Sequence, residues 1–278
     1  MTLAFVVELQ GGLANRLRAL WSAHAFALRY RRPVVALWPI TAELGCAHQE
    51  LFTLNRPVLL ISVDLAHPLQ RLSLQLARWV FSGFRFGLNR PIDKGESWGR
   101  PPRFAPRWMP FQWIQTCTEF EDSQHLVAPF TPLPYIQQLA SERLAEARSK
   151  HSPVLGVHIR RQDHQRAIAG SDTSSFVSAM QEHLKRHPAT HFILCTDDPS
   201  EVELLRTLFG ARLFWFSPSS LDRSQSVAVI DSFVDFLVLA GCDSILGSHL
   251  SSFSLLSARY GKRGLHIAGS CQDSEQQK

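Results

Sequence analysis

Two adjacent arginines, Arg160 and Arg161, follow an apolar run of the sequence that begins at Pro153. A run that is apolar throughout is typical of a strand buried on both faces of a parallel sheet, and ligands of such sheets bind at the carboxyl ends of the strands. His158 and Asp163 flank the pair. Because a guanidinium offers planar, paired donors that suit phosphate oxygens, the segment predicts a phosphate site. The alternative is a surface arginine pair bridged to Asp163.

Further polar side chains follow or precede neighbouring elements of the predicted sheet. The candidates are Asp197, Arg223, Asp235, Ser251 and Ser252. Taken singly, each has an ordinary structural explanation; Asp197 and the two serines, for example, lie where acidic and serine side chains commonly cap helices. Their recurrence at successive strand ends and at one helix favours a shared binding site.

The rhythm of apolar segments indicates the elements that carry these residues. In the first half, apolar runs at 3–9, 33–38 and 58–63 and helical spacing over 13–29 indicate a βαβ unit. In the second half, strands are predicted at 153–159, 191–196, 211–216, 244–246 and 265–268, with helices at 174–186, 200–208, 225–241 and 251–260. Alternating strands and helices predict an α/β fold with parallel sheets. The prolines near residue 130 indicate a boundary between domains at 1–130 and 131–278.

Composition excludes several classes of protein. With 45% hydrophobic and 19% charged residues among 278, the chain has material for a core and is not a disordered tail. Its five cysteines are scattered without a CxxC pair, so neither a disulfide framework nor a zinc ribbon is indicated. The first residues lack the basic region of a signal peptide, and we expect a cytoplasmic location. A net charge of +5 favours anionic partners such as nucleotide phosphates, nucleic acid or a membrane surface.

Four segments resemble motifs of the GDP-fucose-dependent fucosyltransferases, the superfamily that includes α1,6-, α1,2- and protein O-fucosyltransferases. HIRRQD at 158–163 resembles their first motif and TDDP at 196–199 their second. The stretch from Arg223 to Phe253 resembles the third, and GGLANR at 11–16 resembles their N-terminal glycine turn. In overall character the sequence is most similar to the bacterial nodulation-factor enzymes.

The resemblance implies a GT-B fold, with two Rossmann-like domains and the GDP-sugar on the C-terminal one. The implied reaction is an inverting, metal-independent transfer of fucose from GDP-fucose to a glycan or glycoconjugate, with no cofactor. The missing Asp-x-Asp pair agrees with the absence of a metal. The implied catalytic residues are Arg160, Arg161 and Asp163. The implied donor-binding residues are Asn15, His158, Asp197, Arg223, Asp235, Ser251 and Ser252.

Two roles remain open in the sequence. The catalytic base is not evident, and Asp163, His164 and Asp172 are the nearby options. Asp235 lies among apolar residues in the middle of a predicted helix, where a carboxylate is costly unless it is paired. Its partner is expected to be Arg223 or a guanine edge, the alternative being a structural ion pair.

The segment at 79–113 differs in composition from the rest of the chain. It mixes tryptophans, prolines and basic residues without helical or strand periodicity. Indole faces stack on sugars and also lie at membrane interfaces. We therefore expect Trp98, Trp108 and Trp113 to contact the acceptor, with membrane-surface contact as a further possibility and irregular packing as the alternative.

Two other functions compete with an enzyme. A non-catalytic protein that binds a nucleotide-sugar or a glycan would explain the missing acid after Arg161. A nucleic-acid binder is supported only by charge and by the mixture of arginine and tryptophan in the middle segment, and no nucleic-acid partner is expected.

Overall fold

The computed structural model describes residues 5–55, 57–83, 112–148, 152–161 and 169–269. The chain divides into two compact units. The first contains Met1–Leu133 together with Asp222–Ile230, and the second contains Pro134–Leu221 together with Asp231–Lys278. The short segment Asp222–Ile230, which falls within the predicted second domain at 131–278, belongs to the first unit.

The first unit is built on a four-stranded parallel sheet with the order β4-β2-β1-β5. Its strands are β1 (Phe5–Leu9), β2 (Val34–Ile40), β4 (Val58–Asp64) and β5 (Gln112–Thr116), and its helices are α1 (Leu13–Tyr30) and α2 (Pro68–Gly83). Two short strands, β3 (Phe52–Leu54) and β6 (Phe130–Pro132), form a separate antiparallel pair. Phe5 of β1 stacks on Phe26 of α1 with ring centroids 4.3 Å apart, which fixes this helix against the sheet.

The second unit is a five-stranded parallel sheet with the order β11-β10-β7-β8-β9. Its strands are β7 (Val154–Ile159), β8 (His191–Thr196), β9 (Leu213–Trp215), β10 (Ser244–Gly247) and β11 (Gly264–Ile267). Its helices are α3 (Pro134–Ala147), α4 (Thr173–Arg186), α5 (Pro199–Phe209), α6 (Ser226–Gly241) and α7 (Ser252–Gly261), of which α6 begins in the segment assigned to the first unit.

β7 is the central strand of this sheet and carries the arginine pair at its carboxyl end. Gly156 in this strand is required by close packing, because a Cβ there would lie 2.8 Å from Leu239 of α6 and 3.1 Å from the thiol of Cys242. On the other face, α4 and α5 bury Phe176 and Leu205 against the sheet. The strand is therefore held on both faces, as its apolar sequence predicts.

The α/β fold with parallel sheets is confirmed, and most predicted elements agree with the structure within two residues. The strand predicted at 211–216 is shorter, because residues 210–212 form a 3-10 turn before β9. The helices α2 and α3 and the strands β3, β5 and β6 were not predicted. Their sequences lack the long apolar runs that identify the central strands.

One acceptor prediction is wrong. Trp113 lies on β5, which pairs with β1 in the sheet of the first unit, and is only 4% exposed. Its indole therefore offers no accessible face to a sugar. Trp98 and Trp108 lie outside the described residues.

No helix among the described residues combines the length and the hydropathy that crossing a bilayer requires.

Candidate functional site

The guanidinium of Arg161, the second arginine after β7, makes hydrogen bonds to other residues of the protein. Its Nε donates to Glu201 at 2.5 Å, and its two other guanidinium nitrogens donate to the Ser171 carbonyl at 2.9 Å and the Thr173 hydroxyl at 3.1 Å. The Arg161 and Glu201 side chains are 10% and 7% exposed. The guanidinium also lies over the ring of Phe176. The Arg161 guanidinium therefore connects the end of β7 to α4 and α5. We call this buried set of contacts, made by Arg161 with Glu201, Ser171 and Thr173, the brace.

The second motif completes this brace. Asp197 accepts a hydrogen bond from the Arg161 backbone N–H at 2.8 Å. Asp198 is the N-cap of α5 and accepts from the Ser200 backbone at 2.9 Å. The TDDP segment is therefore both a helix cap and a clamp on the arginine turn, and Asp197 lies at the same sheet edge as the pair.

Arg160 has a different environment from its neighbour. Its backbone N–H donates to the hydroxyl of Ser248 at 3.1 Å, and Ser248 donates in turn to the His158 carbonyl at 3.2 Å. Ser248 lies just after β10, so the loops that follow two adjacent strands fix the backbone at Arg160. The residue itself is half-buried at the end of β7.

The loop from Ser248 leads into α7 through a tight turn. Leu250 adopts a left-handed conformation with φ of 55°, which is costly for a residue with a Cβ. Ser251 is the N-cap of α7, and its side chain accepts from the Ser254 backbone. The half-buried Ser252 is the first residue of the helix. A helix N-terminus with this geometry presents backbone donors that suit an anion.

His158 connects the arginine turn to this helix. Its Nδ1 lies 2.8 Å from the Ser254 hydroxyl and 3.3 Å from the Ser251 hydroxyl, and its ring stacks on Phe253. These contacts orient the start of α7 relative to β7. His158 therefore positions the helix terminus on which Ser251 and Ser252 lie.

Asp235 on α6 is paired with an arginine that the sequence analysis did not consider. The Nη1 atom of Arg143 donates to its Oδ1 at 2.8 Å, and the other terminal nitrogen lies 3.7 Å from Asp231. The expected pairing with Arg223 is wrong, because α3 supplies the cation instead. Burial raises the pKa of Asp235 to about 7, against the opposing effect of Arg143. Its side chain keeps 27% exposure, so the carboxyl remains within reach of a ligand.

Arg223 belongs to the first unit, where it lies in the segment before α6. Its carbonyl accepts from the Gly45 backbone N–H at 2.8 Å, and the side chain is half-buried. Because Asp235 is paired with Arg143, the position of Asp235 gives no support to the predicted contact between Arg223 and the nucleotide.

Asp172, one of the three options for the catalytic base, is poorly suited to that role. Asp172 is the N-cap of α4 and accepts from the Ser175 backbone at 2.8 Å and from the hydroxyls of Ser174 and Ser175. Hydrogen bonds from Ser175 and Ser174 lower the pKa of Asp172 below its usual value, which makes it a weak base. Asp163 and His164 lie outside the described residues.

The glycine turn of the first unit carries Asn15 in the first turn of α1. Gly11 has φ of 78°, and a Cβ there would lie 2.9 Å from the Asn15 amide nitrogen. The next residue, Arg16, is almost fully buried and donates to the carbonyl of Gly11 at 2.7 Å. It also donates to the Pro39 carbonyl and, at 3.1 Å, to the Thr41 hydroxyl. Arg16 therefore locks the turn, and Asn15 stands half-exposed beside it.

Among the described residues, no cluster of three His, Cys, Asp or Glu side chains has the geometry of a metal site.

Comparison with solved structures identifies the fold. NodZ fucosyltransferase from Bradyrhizobium aligns over 94% of this chain and 92% of its own, with a TM-score of 0.63 and 17% identity. POFUT1 in complex with GDP aligns over 96% and 99%, with a TM-score of 0.57 and 12% identity. A mutant of Arabidopsis thaliana FUT1 in complex with GDP gives 0.62 and 13%, over 96% of this chain and 70% of that one. This chain has the GT-B fold of these fucosyltransferases.

The fold similarity extends over nearly the whole chain although the sequences have diverged. No protein-family model and no curated protein matches the sequence. The GT-B fold that the four short motifs imply is therefore confirmed, at a level of identity where the fold alone is shared.

Three residues of these clusters were missed as site components: Glu201, Arg143 and Arg16. Glu201 could have been found as an acid in the first turn of α5, directly after the TDDP motif. Arg143 gave no signal, because its helix was not predicted. Arg16 was part of the glycine-turn motif, but nothing in the sequence marks it as buried.

Proposed function

We propose that this protein is an inverting, metal-independent fucosyltransferase that moves fucose from GDP-fucose to a glycan or glycoconjugate. The observation that carries the proposal is the position of Arg160. Its backbone is fixed by Ser248 at the carboxyl end of the central strand, the edge where ligands of parallel sheets bind. The fold supports the same conclusion, since NodZ soaked with GDP-fucose and POFUT1 in complex with GDP-fucose share it.

Arg160 is the proposed catalytic cation. When fucose leaves GDP, negative charge grows on the β-phosphate, and a prepositioned donor stabilises that charge most strongly in the transition state. A guanidinium can bind two phosphate oxygens at once. The braced turn made by Arg161, Asp197 and Glu201 supplies the rigidity that such preorganisation requires. Asp163 remains a proposal as the flanking acid.

The start of α7 is the proposed site for the diphosphate. Ser252 begins the helix and Ser251 caps it, so backbone N–H groups at this terminus could donate to phosphate oxygens. His158 holds this terminus against β7 through Ser254. The same strand edge therefore offers a cation, Arg160, and a helix dipole for one diphosphate.

Asp235 is the proposed reader of the guanine base. One of its oxygens, Oδ1, accepts from Arg143, and the half-buried carboxyl has a second oxygen. A carboxylate can accept from both the ring N–H and the exocyclic amine of guanine, which adenine and uracil cannot match. Asn15 of the first unit is proposed to contact the sugar and its phosphate, on the resemblance of its motif. Arg223 remains a proposed donor-binding residue on the same basis.

The test is a measurement of GDP release from GDP-fucose with and without a panel of glycan acceptors. A transferase releases GDP faster in the presence of its acceptor and forms a fucosylated product. The non-catalytic alternative binds GDP-fucose without either result. Arg186→Lys is the matched control for Arg160→Lys in this assay. Arg186 lies in the last turn of α4, and its side chain is 67% exposed.

A further inference from the structure

The helix α2 presents an apolar stripe to solvent. Four large side chains, spaced three or four residues apart and therefore on one face of the helix, are between 51% and 72% exposed. They are Leu69, Leu72, Leu76 and Trp79. A helix on a globular protein normally turns such a stripe toward the core. In α2 the apolar stripe faces solvent instead.

The opposite face of α2 explains this orientation. Arg78 donates to Glu8 of β1 at 3.1 Å through Nε and at a shorter distance through a terminal nitrogen. Glu8 is fully buried and also accepts from Gln115 of β5 at 2.9 Å. Leu74, which lies on the same side of α2 as Arg78, is also buried. A polar anchor therefore holds α2 on the sheet, and its apolar side faces away.

The sheet beneath adds to the exposed apolar surface. Leu59 and Ile61 on the edge strand β4 are 58% and 41% exposed. The parallel register pairs Glu8 with Leu37 and Leu37 with Ile61, which places Ile61 on the same face of the sheet as Glu8. α2 therefore lies beside apolar side chains on the face of the sheet that it anchors to. Exposed apolar side chains in this number mark an interaction site.

The charge of the sequence in this region favours an anionic partner. The α2 sequence contains no acidic residue and two arginines, of which Arg78 is paired with Glu8. The chain that follows it, residues 84–111, carries six basic residues against Asp93 and Glu96. Basic residues next to an amphipathic helix are attracted to anionic lipids, and tryptophan favours the boundary between headgroups and acyl chains.

We propose that the exposed stripe of α2 docks the protein on an anionic lipid surface. Leu69, Leu72, Leu76 and Trp79 enter the boundary between headgroups and acyl chains, while Arg78 keeps the helix fixed to the sheet through Glu8. The inference does not depend on the transfer reaction, because it rests only on α2 and its surroundings. Its test therefore needs no donor and can fail or succeed separately from the proposed function.

The experiment measures co-sedimentation with vesicles of phosphatidylcholine alone and of phosphatidylcholine mixed with phosphatidylglycerol. We expect binding to the mixed vesicles and at least about tenfold weaker partitioning for Leu72→Gln/Leu76→Gln, since each buried apolar group contributes to interfacial binding. The control is Leu204→Gln/Leu208→Gln on α5, which has the same spacing and comparable exposures of 46% and 51%. The control variant should bind as the parent protein does.

Three outcomes would overturn the proposal. Failure of the parent protein to bind mixed vesicles excludes lipid as the partner. Equal binding by the α2 variant and the parent protein shows that the stripe is not the docking surface. A parent dimer that the α2 substitutions convert to a monomer, measured by light scattering without lipid, would assign the stripe to a second copy of the chain instead.

Discussion

Arg16 in the first unit and Arg160 in the second each follow the carboxyl end of an inner strand, but their surroundings differ. In the first unit, Arg16 is almost fully buried, and its nitrogens donate to Gly11, Pro39 and Thr41. Burial lowers the pKa of Arg16 to about 10, although Glu43 and Glu8 oppose the shift. In the second unit, Arg160 is half-buried, and its backbone N–H donates to the Ser248 hydroxyl at 3.1 Å.

Arg161 resembles Arg16, since all its guanidinium nitrogens donate to the protein and maintain a loop. Arg160 and Arg161 share a residue type and a motif, and we propose different roles for them, a ligand contact for Arg160 and a structural ion pair for Arg161.

The largest expected effect is on stability. Arg161→Met leaves Glu201 buried without its cation, which should lower the free energy of unfolding by about 3–5 kcal/mol. The control is Arg186→Met, which removes an exposed i,i+4 pair with Glu182 and should cost at most about 0.5 kcal/mol. Denaturant unfolding measures both. Equal effects of the two substitutions would contradict the assignment of Arg161 as a buried brace.

The next effect is on turnover. Arg160→Lys keeps the charge but loses the bidentate fork, so turnover should fall by about a hundredfold or more. GDP affinity should fall less, because charge develops fully on the phosphate only as the bond breaks. The free energy of unfolding should fall less than it does for Arg161→Met, because lysine keeps the positive charge. Near-normal turnover of Arg160→Lys with a confirmed acceptor would remove this residue from the mechanism.

A smaller effect concerns selection of the base. Asp235→Asn should bind GDP about tenfold more weakly, because the substitution removes the carboxylate that we propose accepts from the guanine edge. Inosine diphosphate lacks the exocyclic amine, so the parent protein should prefer GDP to it and the variant should show little preference. Glu182→Gln, an exposed change on α4, is the control. An unchanged preference in the variant would assign Asp235 to its ion pair with Arg143 alone.

The pH dependence of that preference gives a finer test. Since burial raises the pKa of Asp235 to about 7, the carboxyl is largely protonated at lower pH and accepts poorly. The ratio of GDP to inosine diphosphate affinity should therefore rise as pH increases through 7, and phosphate ionisation cancels in that ratio. The raised pKa also means that folding binds protons, so this group's contribution to stability is lost as pH rises from about 4 to 7. Asp235→Asn should remove both trends.

The sequence predicted the central strands and the edge where the candidate site lies, because buried parallel strands are apolar throughout. The motif at 158–163 identified the arginine pair for the same reason, since it follows such a strand. It could not assign roles within the pair, which depend on Glu201 and Ser248, residues that are 40 and 88 positions away. The partner of Asp235 was missed because Arg143 lies on a helix without a clear apolar pattern.

The central claim is that the second unit binds a guanine nucleotide at the end of β7 without a metal. It is tested most directly by calorimetric titration with GDP, UDP and ADP in the presence of EDTA. The account predicts that GDP binds at least about tenfold more tightly than the other two, a difference worth about 1.4 kcal/mol, and that removing EDTA and adding magnesium changes its affinity little. Equal affinity for the three nucleotides, or GDP binding that weakens tenfold or more on chelation, would contradict it.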